Sequence, residues 1–389
     1  MNILTPAFQG ARWGSTTLIP EFLGTRPSGN PVAEAWFGAH PSAPSGTDDG
    51  TDLGSLLARQ PEQRLGRDVV TRFGERLPYL LKLIAPVRPL SLQVHPNLEQ
   101  AAAGHRREEA LGIQVAQRNY PDANHKPEMV YALSTFEAVC GFRAPRRVAE
   151  LLDGLDAQLA RQLAAILRRD PSAEGVRSAF ARLLGHADGD EVTQVARGCR
   201  ERLAAGDSPS PRADALVVML ADEYPGDPGA VTALLLNPVT LQPGEALFVP
   251  PGCVHSYLSG FAVELMANSD NVLRAGLTVK HVDVAELLAT VDCVAAPPIR
   301  IAPETVGCTE VFYAPVDDFE LSVATRAGGE PARLRGRGPR ILLGLDGAIT
   351  VAAGGIERVL ARGESLFLGA DETPVLLSGA GRLVQAGVP

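Results

Sequence analysis

The stretch PGEALFVPPGCVHSYL, from Pro243 to Leu258, decides how this chain folds. A short apolar run, Ala246 to Val249, meets a Pro-Pro-Gly corner, and a second run starts at Val254, as two strands joined by a tight turn would. Pro250 and Gly252 shape that corner, and the strand leaving it aims His255 inward. The phrase returns later as RGESLFLGAD, Arg362 to Asp371, with the same Gly-Glu-x-Leu-Phe core. Two related β units are therefore expected. The second copy carries no histidine, so a metal-free structural or interface role is expected for it.

Working outward, residues 1–143 read as strand-like runs broken by Gly and Pro, such as LPYLLKLIAP and RPLSLQVHP. From Pro145 to about Tyr224 the period changes: Val148, Leu151, Leu152, Leu155 and Leu159 recur at three- and four-residue steps, the mark of amphipathic helix. The turn cluster YPGDPG closes this insertion, after which VTALLLNPVTLQ is expected to return to strands. VDVAELLATV, from Val282, predicts one more helix, and APPIR a linker into a C-terminal β unit. There Asp346-Gly347 and Gly354-Gly355 each separate apolar runs in the manner of two-residue hairpin turns. The expected organisation is mainly β. Residues 1–144 and 225–295 make one catalytic β domain, 145–224 an inserted helical domain, and 296–389 a C-terminal β domain.

At 389 residues and 45% hydrophobic, the chain can bury more than one core. Its formal net charge of −9 argues against a nucleic-acid or acidic-membrane binder, since both need a basic face. An anionic small substrate would need a local basic pocket instead. No apolar run of transmembrane length and no export signal is evident, so a soluble cytoplasmic protein is expected. Cys140, Cys199, Cys253, Cys293 and Cys308 are scattered without a C-x-x-C pair, which predicts reduced thiols. Cys253 is expected to be a wall residue, although it stands two positions before His255.

Gln93 and His95 are one residue apart in SLQVHP and share a face of any strand. Glu128, in NHKPEM, adds a carboxylate, and His255 adds a second imidazole. A lone strand histidine is more often structural than ligating, and a lone Glu is more often at the surface. The four together are hard to explain as anything but a site. Two imidazoles, a carboxylate and a neutral amide oxygen suit zinc or a similar borderline ion. One carboxylate against a divalent cation leaves net positive charge, which favours an anionic or carbonyl-bearing substrate.

Gly244 to His255 resembles the second metal motif of cupin barrels, with Ser259 standing where that pattern has Asn. More widely, the chain is similar to the type I mannose-6-phosphate isomerases. The segments ARWGS, AEAWFGAHP, LPYLLKLI, PLSLQVHPN, NHKPEMVYAL, PGEALFVPPGCVHSYL and ELMANSDNVLRAGLT follow the family's order over roughly the first 285 residues. The C-terminal part matches only in general β character. This resemblance implies tandem cupin-like jelly-roll β-barrels with an inserted α-helical domain. It implies one zinc per chain on Gln93, His95, Glu128 and His255, and a catalytic Arg274. It further implies reversible conversion of mannose 6-phosphate to fructose 6-phosphate through a metal-stabilised enediol. The proton-transferring base stays open among His125, Lys126, Asp270 and Glu264, and Ser91, Lys280 and Lys82 are the implied phosphate contacts. The expected partner is a small sugar phosphate, bound by a monomer or weak homo-oligomer.

Two other classes compete. A cupin dioxygenase using iron would present its histidines and carboxylate in one compact motif, whereas here Glu128 lies far along the sequence from Gln93. A non-catalytic sugar-phosphate-binding cupin would hold mannose 6-phosphate and never yield ketose.

Overall fold

A computed structural model describes residues 1–389, the side chain of His186 excepted. Four layers stack in order: helices, a five-stranded sheet, a seven-stranded sheet and a ten-stranded sheet. The strand pairs are antiparallel.

Period-two alternation explains the stacking. In the seven-stranded sheet, Tyr79, Leu81 and Leu83 of strand Tyr79–Ile84 pack with Met129 and Tyr131 of Glu128–Ala132 and with Val263 and Leu265 of Ala262–Ala267. That face meets Phe312, Leu321 and Ile341 of the ten-stranded sheet. The even-numbered residues point the other way, where Ile84, Val130 and Ala262 share a core with Phe136, Ala138 and Tyr257 of the five-stranded sheet. In the five-stranded sheet, Leu92, Val94 and Leu273 turn outward against the helices.

The helical layer runs from Pro145–Leu152 through Gln158–Arg169, Ala173–His186, Gly189–Ala205 and Pro211–Glu223. Its last two long helices are clamped by a buried pair: Nε of Arg202 donates to Oδ2 of Asp214 at 2.5 Å, and the Ser208 hydroxyl donates to the same carboxylate at 2.6 Å. Arg202→Ala leaves Asp214 charged and fully buried, so about 3–5 kcal/mol of stability should be lost, read from a urea unfolding midpoint.

Several expectations need correction. VTALLL is not strand: Gly229–Thr232 and Ala233–Leu235 are helical turns, and the strand starts at Leu236. All of 229–235 is buried against the helical core, and a short apolar run carries no period to separate the two conformations. The β-rich N-terminal part also holds helices. Leu98–Ala110 is a helix capped reciprocally by Asn97 and Gln100, and its few buried positions gave it no apolar stripe. Asp346-Gly347 is not a turn, because Arg340–Ala353 runs through it with a bulge between Gly344 and Asp346. Gly354-Gly355 does turn the chain: Ala353 pairs with Ile356 across two residues of positive φ, 58° and 77°.

The sheets also cross the expected domain limits. Asn2 and Ile3 pair with Phe367 and Leu366 of the ten-stranded sheet, and Ile299–Ile301, just beyond Pro297-Pro298, pairs with Ala246–Val249 of the seven-stranded one. The echo between Pro243 and Arg362 extends to hydrogen bonds. The Glu245 carboxylate accepts from the Gln242 N–H at 2.8 Å, and Glu364 accepts from the Ala361 N–H at the same distance.

Candidate metal centre and its cleft

His255 opens the strand His255–Ser259 and lies directly opposite Gln93 of Leu92–Val94, which in turn faces Arg274 of Leu273–Gly276. The corner before it requires Gly252: its φ is 81°, and a Cβ there would sit 3.3 Å from the Asp292 nitrogen. The Gly252 N–H donates to the His95 carbonyl at 2.7 Å, so the turn is tied to the second histidine. From the opposing sheet, Glu128 heads the strand Glu128–Ala132 at the inward parity.

The three groups converge. His95 Nε2 lies 3.2 Å from Glu128 Oε1, and His255 Nε2 lies 3.3 Å from Oε2. Ligand atoms of His95, Glu128 and His255 all lie within 4.8 Å of one another and could hold a metal ion. Each imidazole is oriented through its other nitrogen: Nδ1 of His95 donates to the Asn271 carbonyl at 2.8 Å, and Nδ1 of His255 to the Cys253 carbonyl at 3.0 Å. With Nδ1 protonated, the neutral tautomer turns an Nε2 lone pair toward a carboxylate, so acceptors face acceptors. Nε2 of His95 is buried without a hydrogen-bond partner. A cation between these atoms resolves the conflict, and the donor set is one that zinc accepts.

Burial holds the His95 imidazole neutral, with its pKa down at about 4 against the pull of Glu128. Burial alone would also depress His255, but the hydrogen bond and charge of Glu128 push it up. Burial opposes the charge on Glu128 itself, yet the two histidines and Lys126 hold it well below the usual carboxylate range. The Tyr257 hydroxyl donates to Glu128 Oε2 at 3.0 Å. Sequence reasoning missed Tyr257, although it stands two residues after His255 and so shares its face.

A small recess of about 50 Å³ lies beside the cluster, bordered by Gln93, Lys126, Glu128, His255, Glu264 and Lys82. Gln93, Leu90 and Glu34 also border a wider cleft of about 760 Å³, which takes in Ser91, Arg274 and Lys280. Arg88 in its wall is paired with Glu223 at 3.1 Å. Arg274 and Lys280 form no ion pair among the described residues.

The four base candidates separate. Glu264 is 3% exposed and borders the recess, its Oε2 3.1 Å from Lys82 Nζ. Burial pushes its carboxyl pKa up, with Lys82 opposing. Lys126 also borders the recess, 3.6 Å from Glu128. His125 faces away, its Nε2 2.8 Å from Asp318 Oδ2 in the loop before Glu320–Ala327. Asp270 is half exposed, 3.4 Å from His40 Nε2, and borders neither cavity. Of the expected phosphate contacts, Ser91 and Lys280 line the wider cleft, whereas Lys82 is buried between Glu264 and Glu34, the latter 3.7 Å away. Its charge is already matched. Cys253 stays out of the metal cluster, with its thiol 3.5 Å from that of Cys140.

Comparison with known proteins gives a consistent result. Residues 1–145 match the family model of the phosphomannose isomerase type I catalytic domain. The chain is 38% identical over 394 residues to a mannose-6-phosphate isomerase of Escherichia coli (strain K12), covering 99% of both. It is 33% identical over 371 residues to one of Rattus norvegicus, covering 89% of this chain and 86% of that one. A crystal structure of mannose 6-phosphate isomerase bound with zinc and yttrium superposes with a TM-score of 0.91 at 36% identity, over 100% of this chain and 99% of the other. A variant of the Salmonella typhimurium phosphomannose isomerase superposes with a TM-score of 0.92 over the same spans.

Proposed function

The chain belongs to the mannose-6-phosphate isomerase family, and on that premise we propose that it interconverts mannose 6-phosphate and fructose 6-phosphate at a zinc site formed by Gln93, His95, Glu128 and His255. The observation that carries this reading is the meeting of two oriented imidazoles on the two oxygens of Glu128, beside a recess that shares Glu34, Leu90 and Gln93 with a wider cleft holding Arg274 and Lys280. The sheets around it are read as cupin-like barrels in tandem with a helical insertion, a reading supported by the Glu245 and Glu364 turns. No helix is long and apolar enough to cross a membrane, and we take the enzyme to work in the cytoplasm on a small sugar phosphate.

The reaction moves one proton between carbons 1 and 2 through an enediol. A bound zinc ion supplies Lewis-acid polarisation of the sugar oxygens. The protein's own groups do the rest. Glu264 accepts the proton beside the carbonyl and returns it to the neighbouring carbon, because a carboxylate offers a lone pair in the recess and burial tunes it upward. Lys82, engaged by Glu264 and Glu34, holds Glu264 in position and does not reach for the phosphate. Lys126, as an ammonium, has a proton to donate toward a sugar oxygen.

Arg274 lies opposite Gln93 and donates to the developing enediolate, while Lys280 and Ser91 hold the phosphate further out in the cleft. Remote binding energy of that kind positions the reacting carbons. Arg274→Ala should therefore lower kcat about a hundredfold or more with a small change in KM, and Lys280→Ala should raise KM about tenfold with kcat nearly kept. The reverse pattern would exchange the two roles. A coupled assay for fructose 6-phosphate from mannose 6-phosphate tests the reading as a whole. Binding without ketose formation would favour the non-catalytic module, and oxygen consumption would favour the dioxygenase.

A further inference from the structure

The ten-stranded sheet borders a second cleft, of about 850 Å³, that shares no lining residue with the catalytic cavities. One wall is the junction between the helices Pro61–Leu65 and Arg67–Phe73, and the other is the loop Arg333-Leu-Arg-Gly-Arg-Gly338. Arg67, Arg333, Arg335 and Arg337 line it. None of these four guanidiniums forms an ion pair among the described residues, although Arg335 lies 5.7 Å over the Tyr313 ring. Of the acidic side chains in the lining, Asp68 is bound to Arg72 at 3.0 Å, and the pKa of the Glu320 carboxyl is raised by burial against the opposing charge of Arg335. Pro389 borders the cleft too, and its carboxylate pairs with none of the arginines.

A fifth arginine lies beneath the loop. Arg340 is 1% exposed, its Nη2 donates to the Glu372 carbonyl at 2.9 Å, and its Nε and Nη1 are buried without partners. Its Cδ is 3.4 Å from where a Cβ on Gly336 would sit, so the loop passes directly over this charge. Gly336 and Gly338 have φ of 112° and 69°, and with no side chains they leave the backbone open to close approach. Solvated surface arginines are common singly. Four around one concavity and a fifth beneath it, in a chain of net charge −9, outnumber the acidic side chains of the lining and focus a positive potential there. The volume suits a small organic ligand, and planar guanidinium forks match tetrahedral oxyanions.

We propose that this cleft binds a compact phosphorylated anion carrying at least two negative charges, independently of the catalytic centre. Titration calorimetry of the zinc-loaded enzyme with inorganic pyrophosphate tests it. One site is expected in the wild type, weakened at least about tenfold in Arg335→Gln/Arg337→Gln and severalfold in Arg67→Gln, with kcat/KM for mannose 6-phosphate unchanged. The affinity should fall steeply as salt is added. All three substitutions are at exposed side chains, so folding should be kept. Absence of binding in the wild type, or equal binding in the double variant, overturns the proposal. So does loss of binding in Lys280→Ala, which would put the anion in the catalytic cleft.

Discussion

Glu264→Gln is expected to lower kcat by about three orders of magnitude while KM changes little. The size follows from the contribution of a positioned general base, about a hundred- to ten-thousand-fold. The amide keeps the shape of the side chain and can still accept from Lys82, so the fold and the recess should survive. The pH dependence gives an independent check. Glu264 must be unprotonated to take the proton, so kcat/KM falls as pH drops through its pKa. Burial raises that pKa, so the acid limb should lie above the ordinary carboxylate value of about 4.3 and should disappear in the residual activity of the variant. An unchanged limb would assign the proton transfer to another group, with Lys126 next in line.

His95→Ala should have a comparable effect for a different reason. The imidazole is held from behind by the Asn271 carbonyl, and the His95 backbone carbonyl accepts from the Gly252 N–H, so its lone pair cannot be replaced by rotation of a neighbour. Removing it leaves Glu128 and His255, with Gln93, as a weak remainder of the site. Loss of several kcal/mol of oxyanion stabilisation corresponds to about a thousandfold in rate. Zinc content measured by atomic emission should fall well below one per chain in the purified variant. Full zinc occupancy with normal turnover would exclude His95 as a ligand.

What could be read from the sequence followed the range of each signal. Gln93 and His95 were legible as a pair because their shared face depends only on strand period, and His255 because the Pro-Pro-Gly corner is local. The turn at Gly354-Gly355 was readable for the same reason, but Asp346-Gly347 carries the same dipeptide logic and lies in a continuous strand. Parity would also have separated two base candidates: Lys126 shares it with Glu128, and His125 does not. The pairing of Lys82 with Glu264 could not be read, since it depends on the register between Tyr79–Ile84 and Ala262–Ala267, segments far apart in the chain. The exchange of strands between sheets at Asn2 and Ile299 was hidden likewise, because edge pairing leaves no local pattern. The arginine loop at 333–340 carries no recognisable motif, and only the folded chain brings Arg67 beside it.

The most direct test is a metal titration. Enzyme stripped by a chelator and dialysed free of it should have lost its isomerase activity, and added zinc should restore turnover in proportion, reaching its full value at one ion per chain. Undiminished formation of fructose 6-phosphate by protein shown to contain no divalent metal would contradict the account.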